Sequence, residues 1–317
     1  MPSFSVIILS YKSSAHIERC LDAVLKLGAD EVILADNASG DLDFAALEKK
    51  YPGVAFLAFE RNLGFAEGNN RAAIHAGSDW LAFLNPDAFA DPNWLIEMRI
   101  AIEGNPDTAI FTSLQIDAND PKRLDGAGDR LTFFGFPYRA GFGHAVPTDA
   151  HAREVFSPCG AAFAIRSDLF RQLDGFDRRF FCYCEDADLG FRARLMGEHC
   201  RLVPAARVAH VGSASTGKRS NFALYHGYRN RLWLYAKNTP LLLLIPTLPI
   251  HIGMTLLLAL SDIVKGKAIV WRGLYDGVTG MGPILLRRKK IQSERRISAL
   301  RLAKVLTWNP WKIVRRQ

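Results

Sequence analysis

Three carboxylates stand close together in the stretch 180–196, FFCYCEDADLGFRARLM, and they are the residues best suited to acid–base chemistry. Glu185, Asp186 and Asp188 follow a run of aromatic residues and open a segment with a helical pattern. The helix dipole stabilises negative charge there, but three neighbouring carboxylates repel one another, which predicts a raised pKa for one of them. Such a group suits a general base. The alternative interpretation is an acidic helix cap whose charges face water.

Strands and helices alternate along the chain up to the carboxylate motif. This alternation predicts an α/β fold with a doubly wound, mostly parallel sheet. The predicted strands are 4–10, 32–35, 54–59, 80–84, 109–115, 160–165 and 202–210, and the predicted helices are 16–27, 42–51, 68–76, 94–103 and 168–173. Ligands of such sheets bind at the carboxyl ends of the strands. Four polar residues fall there: Tyr11, Asp36, Arg61 and Asp87.

The first turn argues against a dinucleotide-binding site. Asp36 ends the second predicted strand, as the ribose-binding carboxylate of such folds does. Residues 10–14, SYKSS, contain none of the glycines that let the backbone approach a pyrophosphate. Asp36 can still accept a hydrogen bond from the sugar or the base of a mononucleotide. Residues 117–155 show no clear periodicity and are predicted to be a long loop region that faces the substrate.

Charge is unevenly distributed over the 317 residues. Residues 265–317 carry 14 Lys and Arg against two acidic residues, a net charge of +12, whereas the whole chain carries +8, which leaves −4 for residues 1–264. A basic tail suits anionic lipid headgroups or nucleic acid, and the apolar stretch before it favours lipid. Because no aromatic residues are interleaved with a basic surface, we predict no nucleic-acid partner.

The five cysteines lack paired spacing, so neither a disulfide framework nor a zinc site is predicted. An apolar strand follows Met1 and Pro2 directly, without the pattern of a signal peptide. We therefore expect the catalytic part to lie in the cytosol.

An apolar stretch separates the body of the chain from the basic tail. Residues 238–261 contain no Asp, Glu, Lys or Arg. A helix of this length could span a bilayer. Pro240, Pro246 and Pro249 favour instead a monotopic, re-entrant or interfacial segment, and a buried pair of core helices is the third interpretation. Residues 284–306 are predicted to form one basic amphipathic helix on a membrane surface. The predicted division is a catalytic domain, 1–235, and a membrane-associated helical extension, 236–317.

Several motifs occur in an order that resembles a known family. They are SVIILSYKSS, ADNASGD, ERNLGFAEGNN, FLNPDA, GFDRRFFCYCEDADLGFRARLMG and VAHVGSAS. Together they resemble the family 2 inverting glycosyltransferases with the GT-A fold, and within them the rhamnosyltransferase-like branch. The resemblance covers residues 3–235. It implies an enzyme that binds a nucleotide-sugar donor and a divalent cation, Mg²⁺ or Mn²⁺.

The metal ligands implied by the resemblance are Asp87 and His210. In the family an Asp-x-Asp element holds the ion, and Asn85-Pro86-Asp87 occupies its place with Asn85 instead of the first Asp. The metal affinity is therefore expected to be modest, since Mg²⁺ is commonly bound by one or two carboxylates and phosphate oxygens. A plain turn at 85–87 and a structural role for His210 are the alternatives.

The resemblance also implies a nucleotide-binding set and a catalytic base. The set consists of Tyr11, Asp36, Asn37, Arg61, Asn62, Gly64, Asn70, Asn85 and Arg229. Arg61 could instead be a solvated surface charge, and Arg229 a juxtamembrane one. Asp186 is the expected base, with Glu185 as the alternative, while Asp188 would cap the helix or pair with Arg192.

The sequence thus predicts an inverting glycosyltransferase on the cytoplasmic face of the membrane, held there as a peripheral or monotopic protein. It would add a sugar, L-rhamnose from dTDP-L-rhamnose by resemblance, to a lipid-linked or cell-surface glycan. One alternative is a related transferase that uses a UDP-hexose or UDP-N-acetylhexosamine, and another is a non-catalytic nucleotide-sugar-binding scaffold. No oligomeric state is predicted.

Overall fold

A computed structural model describes residues 1–212 and 220–316. The strands are β1 (Phe4–Ser10), β2 (Glu31–Asp36), β3 (Ala55–Ala58), β4 (Trp80–Leu84), β5 (Ala88–Ala90), β6 (Ile110–Asp117), β7 (Leu124–Gly126), β8 (Asp129–Leu131), β9 (Pro137–Arg139), β10 (Arg153–Val155), β11 (Ala162–Arg166) and β12 (Cys200–His210). The helices are α1 (Ser14–Val24), α2 (Phe44–Lys50), α3 (Gly64–Ile74), α4 (Trp94–Glu103), α5 (Ser167–Gln172), α6 (Glu185–Leu195), α7 (Asn221–Asn238), α8 (Leu241–Val264), α9 (Ile269–Thr279), α10 (Met281–Ser293), α11 (Ala299–Ala303) and α12 (Pro310–Val314). A turn of 3-10 helix, Arg178–Phe180, precedes α6.

One large sheet carries the body of the protein, with the strand order β10-β12-β6-β11-β4-β1-β2-β3. The strands from β4 to β3 along this order are mutually parallel, and β6 is parallel to β12. Only β11 interrupts this part of the sheet, antiparallel to both β4 and β6. The prediction of a mostly parallel sheet flanked by helices is confirmed.

Apolar residues on both faces explain why the central strands are buried. Every residue of β1 is buried. Ile8 and its neighbours pack into a core on one face of the sheet, and Ile7 into a second core on the other face. A parallel strand with helices on both sides must be apolar on both sides, which is what the continuous run at 4–10 provides.

The region 117–155, predicted to be loop, contains β7, β8, β9 and β10 instead. Each of these strands is three residues long, too short for an alternating pattern to be visible in the sequence. β8 and β9 form an antiparallel hairpin that pairs Asp129 with Arg139. This hairpin therefore carries two charged residues that no periodicity indicated.

The extension after α6 does not form the single helix predicted at 284–306. α10 ends at Ser293, and α11 begins after Ser298, whose hydroxyl accepts a hydrogen bond from the backbone N–H of Arg301. Between the two helices, the N–H of Arg296 donates to the carbonyl of Leu195 at the end of α6. The helix is interrupted because the chain turns there to pack on the end of α6.

The apolar stretch forms one continuous helix, α8, that includes Pro246 and Pro249. Its buried residues recur at intervals of four residues, with a final interval of three, and are Leu243, Thr247, His251, Thr255, Ala259 and Asp262. Its other faces expose leucines and isoleucines. Within residues 1–212 and 220–316, α8 is the one helix long and apolar enough to cross a membrane. Buried core helices meet the same criterion, but most of α8 is not buried.

A third core joins the extension to α6. It contains Phe191 of α6, Trp233 of α7, Leu243 of α8 and Ile284 of α10. Within this junction Lys237 is fully buried, and its Nζ lies 2.6 Å from Oδ2 of Asp177 and 2.8 Å from Oδ1 of Asp188. Burial disfavours the charged lysine, so its pKa is lowered even though the two carboxylates favour the charge.

Replacement of Lys237 by Met is expected to lower the free energy of unfolding by about 3–5 kcal/mol, because two buried carboxylates would lose their shared cation. Denaturant titration followed by circular dichroism would measure the change. Lys289→Met, at an exposed position of α10, is the control and should change it by less than about 0.5 kcal/mol. Equal unfolding midpoints for the two variants would contradict the prediction.

Candidate active site

A cavity of about 470 Å³ lies at the carboxyl ends of β1, β2 and β4, and most of the predicted site residues line it. The predicted residues in its wall are Tyr11, Asn37, Asn62, Gly64, Asn85, Asp87, Glu185, Asp186 and His210. Parallel strands end at one edge of a sheet, so residues far apart in the sequence meet there. We call this space the donor cavity.

One wall of the donor cavity is built by a buried asparagine. Oδ1 of Asn37 accepts a hydrogen bond from the N–H of Leu63 at 2.8 Å, and its Nδ2 donates to Oδ1 of Asn62 at 3.0 Å. The same Asn62 oxygen accepts from the N–H of Gly64 at 2.8 Å. These bonds fix the end of β2 to the start of α3, which begins at Gly64 rather than at the predicted residue 68.

Gly64 lets this wall approach the loop 181–184. Its φ is +76°, and a Cβ at this position would lie 2.5 Å from the carbonyl oxygen of Phe181. That same carbonyl accepts a hydrogen bond from the N–H of Ala66. Both the backbone conformation and the contact therefore require glycine.

Gly64→Ala is expected to lower activity by at least about tenfold, because the loop before the carboxylates would have to move away from α3. The comparison variant is Gly53→Ala, where a Cβ meets nothing within 4 Å. Initial rates at saturating donor would measure both. Wild-type rates for Gly64→Ala would show that the loop tolerates the shift.

The loop 181–184 has an unusual backbone. Phe181, Tyr183 and Cys184 all have positive φ, of 64°, 72° and 68°, a conformation that costs free energy for residues with a side chain. Asn230 of α7, itself fully buried, donates through Nδ2 to the carbonyls of Phe180, Cys182 and Tyr183 at 2.7–2.8 Å. Helix α7 thus holds the strained loop in place.

The three carboxylates after this loop occupy three different environments. Asp188 is fully buried and paired with Arg192 at 2.8 Å and with Lys237, and the two cations lower its pKa against the effect of burial. It therefore ties α6 to the extension and does not face the cavity. The alternative of an acidic cap whose charges all face water does not describe this residue.

Asp186 and Glu185 differ from Asp188 and from each other. Oδ2 of Asp186 accepts a hydrogen bond from the N–H of Gly160 at 2.8 Å, and Oδ1 accepts one from Ala187 at 2.7 Å. Burial nevertheless raises the pKa of Asp186. Burial and the neighbouring Asp186 raise the pKa of Glu185 further. Oε2 of Glu185 has no hydrogen-bond partner among the described residues. In both groups burial therefore opposes loss of the proton.

Asp87 and His210 lie side by side in the wall of the donor cavity. Nε2 of His210 lies 3.3 Å from Oδ1 of Asp87 and 3.4 Å from Nδ2 of Asn85, while Nδ1 lies 2.8 Å from Oδ2 of Asp125. Burial opposes both charges, but hydrogen bonds to the two carboxylates raise the pKa of His210 to about 9, and the pKa of Asp87 is lowered. Residues 213–215 of the motif that follows His210 lie outside the described residues.

These side chains fit a divalent cation. An imidazole nitrogen and a carboxylate oxygen point to the same space, and a second carboxylate orients the ring from behind, as is usual for histidine ligands. No group of three or more His, Cys, Asp or Glu side chains that could hold a metal ion occurs within residues 1–212 and 220–316. The remaining ligands would therefore come from a substrate.

Four of the predicted nucleotide-binding residues lie outside the cavity wall. Asp36 bonds with the backbone and hydroxyl of Ser39, and Arg61 is exposed. Asn70 bonds with the backbone of Phe176 at 2.8 Å in both directions. The remaining residue is Arg229.

The guanidinium of Arg229 is turned away from the cavity. It donates to the carbonyl of Phe180 at 2.9 Å and lies over the ring of Trp233, 4.5 Å from its centroid. In this position Arg229 supports the same loop as Asn230. Its guanidinium donates to backbone carbonyls and does not enter the cavity.

Residues that the sequence reasoning missed form a second cavity on the other side of Asp186. Its volume is about 450 Å³, and we call it the hairpin cavity because Asp129 of β8 and Arg139 of β9 line it. Arg139 pairs with Asp125 at 2.6 Å. The two cavities share Arg139, Tyr183, Cys184 and Asp186. Asp186 therefore stands where two binding spaces meet.

Comparison with known proteins gives concordant results. The family model described as "Glycosyl transferase family 2" matches residues 5–173. An N-acetylglucosaminyl-diphospho-decaprenol L-rhamnosyltransferase of Mycobacterium tuberculosis is 30% identical over 249 residues, 70% of this chain and 80% of the relative. Rhamnosyltransferase WbbL of Escherichia coli K12 is 26% identical over 223 residues, 65% of this chain and 82% of the relative.

Solved structures show the same fold at low sequence identity. The mannosyltransferase PcManGT of Pyrobaculum calidifontis, in complex with GDP-Man and Mn²⁺, gives a TM-score of 0.54 at 16% identity and covers 96% of this chain and 86% of its own. TarS residues 1–349 of S. aureus, in complex with UDP-GlcNAc, gives a TM-score of 0.58 at 16% identity. The match covers 97% of this chain and 93% of the TarS chain. These likenesses concern the fold alone.

Proposed function

This chain belongs to glycosyl transferase family 2, as its motifs led us to expect, and we propose that it transfers a sugar from a nucleotide donor to a lipid-linked acceptor with inversion at the anomeric carbon. The observation that carries the proposal is the position of Asp186 between the donor cavity, which contains the Asp87–His210 pair, and the hairpin cavity. A base at that junction reaches an acceptor in one space and a donor in the other.

The donor cavity suits a nucleoside diphosphate sugar. Asn37, Asn62 and Gly64 line one end, and Asp87 with His210 would hold a divalent cation at the other. When bound, such an ion supplies positive charge to the departing diphosphate. The nucleotide would then lie over β1 and β2, and its sugar would point toward α6.

Asp186 is the proposed general base. Its carboxylate would take the proton from the acceptor hydroxyl as that oxygen attacks the anomeric carbon. The bond to the diphosphate breaks on the opposite face, so a single displacement inverts the configuration. Glu185 lines the donor cavity but not the hairpin cavity, and burial beside Asp186 raises its pKa more than that of Asp186 is raised. Both facts support Asp186 over Glu185.

The proposed donor is dTDP-L-rhamnose and the proposed acceptor an N-acetylglucosaminyl diphospholipid. Support comes from two relatives whose names specify rhamnosyl transfer, one of them to N-acetylglucosaminyl-diphospho-decaprenol. A cation held by Asp87 and His210 is supported by their geometry and by the Mn²⁺ bound in the PcManGT structure.

The decisive experiment is a donor screen with purified protein. Initial rates onto a synthetic N-acetylglucosaminyl diphosphate lipid would be measured with dTDP-L-rhamnose, UDP-glucose and UDP-N-acetylglucosamine, each with Mn²⁺ or with EDTA. Metal-dependent rhamnosyl transfer, with inverted product by NMR, is the expected result. Preference for a UDP sugar would overturn the donor, and binding without turnover of any donor would favour the scaffold alternative.

The extension is proposed to lie on the cytoplasmic face of a membrane. The exposed face of α8 includes Leu257, Leu260 and Val264, and exposed Lys265 and Arg272 follow. An apolar surface bordered by positive charge is complementary to a bilayer that contains anionic lipids.

Leu257→Glu is expected to weaken binding to phosphatidylglycerol vesicles by about 10- to 100-fold, because one buried leucine contributes about 1.5–3 kcal/mol. Co-sedimentation would measure the partition. Ile74→Glu, on the exposed side of α3, is the matched control and should bind as the wild type does. Equal losses in both variants, or no vesicle binding by the wild type, would contradict a membrane surface here.

A further inference from the structure

The hairpin cavity is closed on one side by the extension. Its wall includes Tyr228 and Arg231 of α7 and the last turns of α8, among them Asp262 and Lys265. The opposite wall is the β8–β9 hairpin and the start of α6. The cavity thus runs from Asp186 to the end of the apolar helix.

Two residues of this cavity, Arg231 and Asp129, carry buried polar atoms without partners among the described residues. Nε and Nη2 of Arg231 are buried and have no hydrogen-bond partner among the described residues. The guanidinium is held over the rings of Phe136 and Tyr228, 4.0 and 4.7 Å from their centroids. Oδ1 of Asp129, a residue only 8% exposed, is likewise without a partner in the described part of the chain. Such groups normally have partners, so a bound molecule is expected to supply them.

The other charges in the cavity leave Arg231 as its principal anion-binding group. Arg139 is already engaged by Asp125, which also contacts His210. Asp262 accepts a hydrogen bond from the hydroxyl of Tyr228 at 2.9 Å, and Asp186 lies at the inner end. Lys265, which is exposed, adds a second cation at the rim. An arginine fork with free N–H groups matches phosphate oxygens, whereas the inner carboxyl groups match sugar hydroxyls.

The rim leads directly to an apolar surface. Leu258 lines the cavity and is 38% exposed, and Leu257 and Leu260 beside it are more exposed still. A molecule with its polar end at Asp186 would therefore continue along α8 toward lipid. Its polar groups would pass Arg231 on the way.

We propose that the hairpin cavity is the acceptor site and that Arg231 binds the diphosphate of a lipid-linked sugar, with the sugar ring against Asp129 and Asp186 and the lipid chain along α8. The proposal rests on the function proposed above, which supplies the transfer to a lipid-linked acceptor. It adds the place of binding and the residue that distinguishes a diphosphate lipid from an uncharged glycolipid.

The test compares two synthetic acceptors with the same N-acetylglucosaminyl group and the same alkyl chain. One carries a diphosphate between sugar and chain, and the other is the plain alkyl glycoside. In Arg231→Gln, kcat/KM for the diphosphate acceptor should fall by about 10- to 100-fold, as expected for loss of a charged hydrogen bond. For the plain glycoside it should fall by less than about threefold. Arg171→Gln, at an exposed position of α5 and outside both cavities, is the matched control.

The outcomes separate this site from the proposed function. Equal losses with both acceptors would indicate a structural role for Arg231 and overturn the site while the function stands. Arg231→Lys, which keeps the charge but not the planar fork, should lose less than Arg231→Gln. If the wild type transfers no sugar, binding of the unreactive alkyl diphosphate is measured by calorimetry. Weaker binding to Arg231→Gln would then support the site although the function failed, and equal binding would overturn it.

Discussion

Replacement of Asp186 by Asn is expected to lower kcat by about 10²- to 10⁴-fold, the usual contribution of a positioned general base. The amide oxygen can still accept the hydrogen bond that Gly160 donates to Asp186, so the fold of the loop and of α6 should be retained. An amide cannot take a proton from an acceptor hydroxyl. Donor binding, measured by calorimetry, should therefore change far less than the rate of transfer.

The same residue should set the acid side of the pH dependence. The groups that face Asp186 are Glu185 on its own helix, Asp129 and Arg139 on the hairpin and Arg231 on α7. Burial raises the pKa of Asp186 above the ordinary value for aspartate, against the opposing effects of backbone N–H groups and Arg139. A base must be unprotonated, so kcat/KM should fall as the pH is lowered through that raised pKa. The residual rate of Asp186→Asn should lack this limb.

Glu185→Gln provides the comparison for both measurements. Glutamine imitates the protonated form that the raised pKa of Glu185 favours, so the loss of activity should be much smaller than in Asp186→Asn. The reverse order of effects would identify Glu185 as the base. Retention of more than a tenth of the wild-type rate by Asp186→Asn would exclude Asp186 from that role.

Asp87→Asn is expected to lower activity by about 10²- to 10³-fold at a fixed Mn²⁺ concentration, the loss seen when one stabilising group for leaving-group charge is removed. Within the described residues Asp87 is the carboxylate that faces the cavity beside Nε2 of His210. Its amide would bind a divalent cation more weakly. The Mn²⁺ concentration that gives half-maximal rate should rise accordingly.

Asp125→Asn tests whether the carboxylate that orients the imidazole of His210 contributes to metal binding. Asp125 contacts Nδ1 of His210 at 2.8 Å, and loss of such an orienting carboxylate typically weakens metal affinity 10- to 100-fold. Asp120→Asn, at an exposed position near the same strand, should leave the Mn²⁺ dependence unchanged. If all three variants respond to Mn²⁺ as the wild type does, Asp87 and His210 do not hold the ion.

The part of the site on the strand ends could be predicted from sequence because parallel strands bring their carboxyl ends to one edge. Tyr11, Asn37 and Asp87 each follow a strand that its apolar run reveals, and all three line the donor cavity. His210 ends the last strand and joins them although 123 positions separate it from Asp87. The rule on strand ends was sufficient for Tyr11 and Asp87, whereas the family resemblance supplied the roles of Asn37 and His210. Asp36 and Arg61, which the same rule selected, lie outside the cavity wall.

The hairpin cavity could not be predicted in this way. Asp129 and Arg139 lie in three-residue strands that owe their position to contacts with the far end of the chain. The N–H of Phe133 donates to the carbonyl of Thr307, and the N–H of Thr307 donates to the carbonyl of Leu131. Pairings over such distances leave no local pattern.

Arg229 shows a second limit of sequence reasoning. Its residue type suited a diphosphate, but the backbone carbonyls before α6 also need donors, and Arg229 donates to that of Phe180. Asn230, the neighbouring residue without a predicted role, donates to three of the loop carbonyls. Which partner a polar side chain takes depends on the three-dimensional surroundings, not on its type.

The buried contacts of Lys237 bear on how the protein can be handled. Truncation before α8 is a common way to improve the solubility of a protein with an exposed apolar helix. A chain cut after residue 235 would lose both Lys237 and Asn238, which contact Asp188 at 2.8 and 2.7 Å, and would uncover the apolar side of α6. The truncated protein would expose the apolar side of α6 in place of the apolar face of α8. Polar replacements on the outer face of α8 would improve solubility and keep the catalytic helix intact.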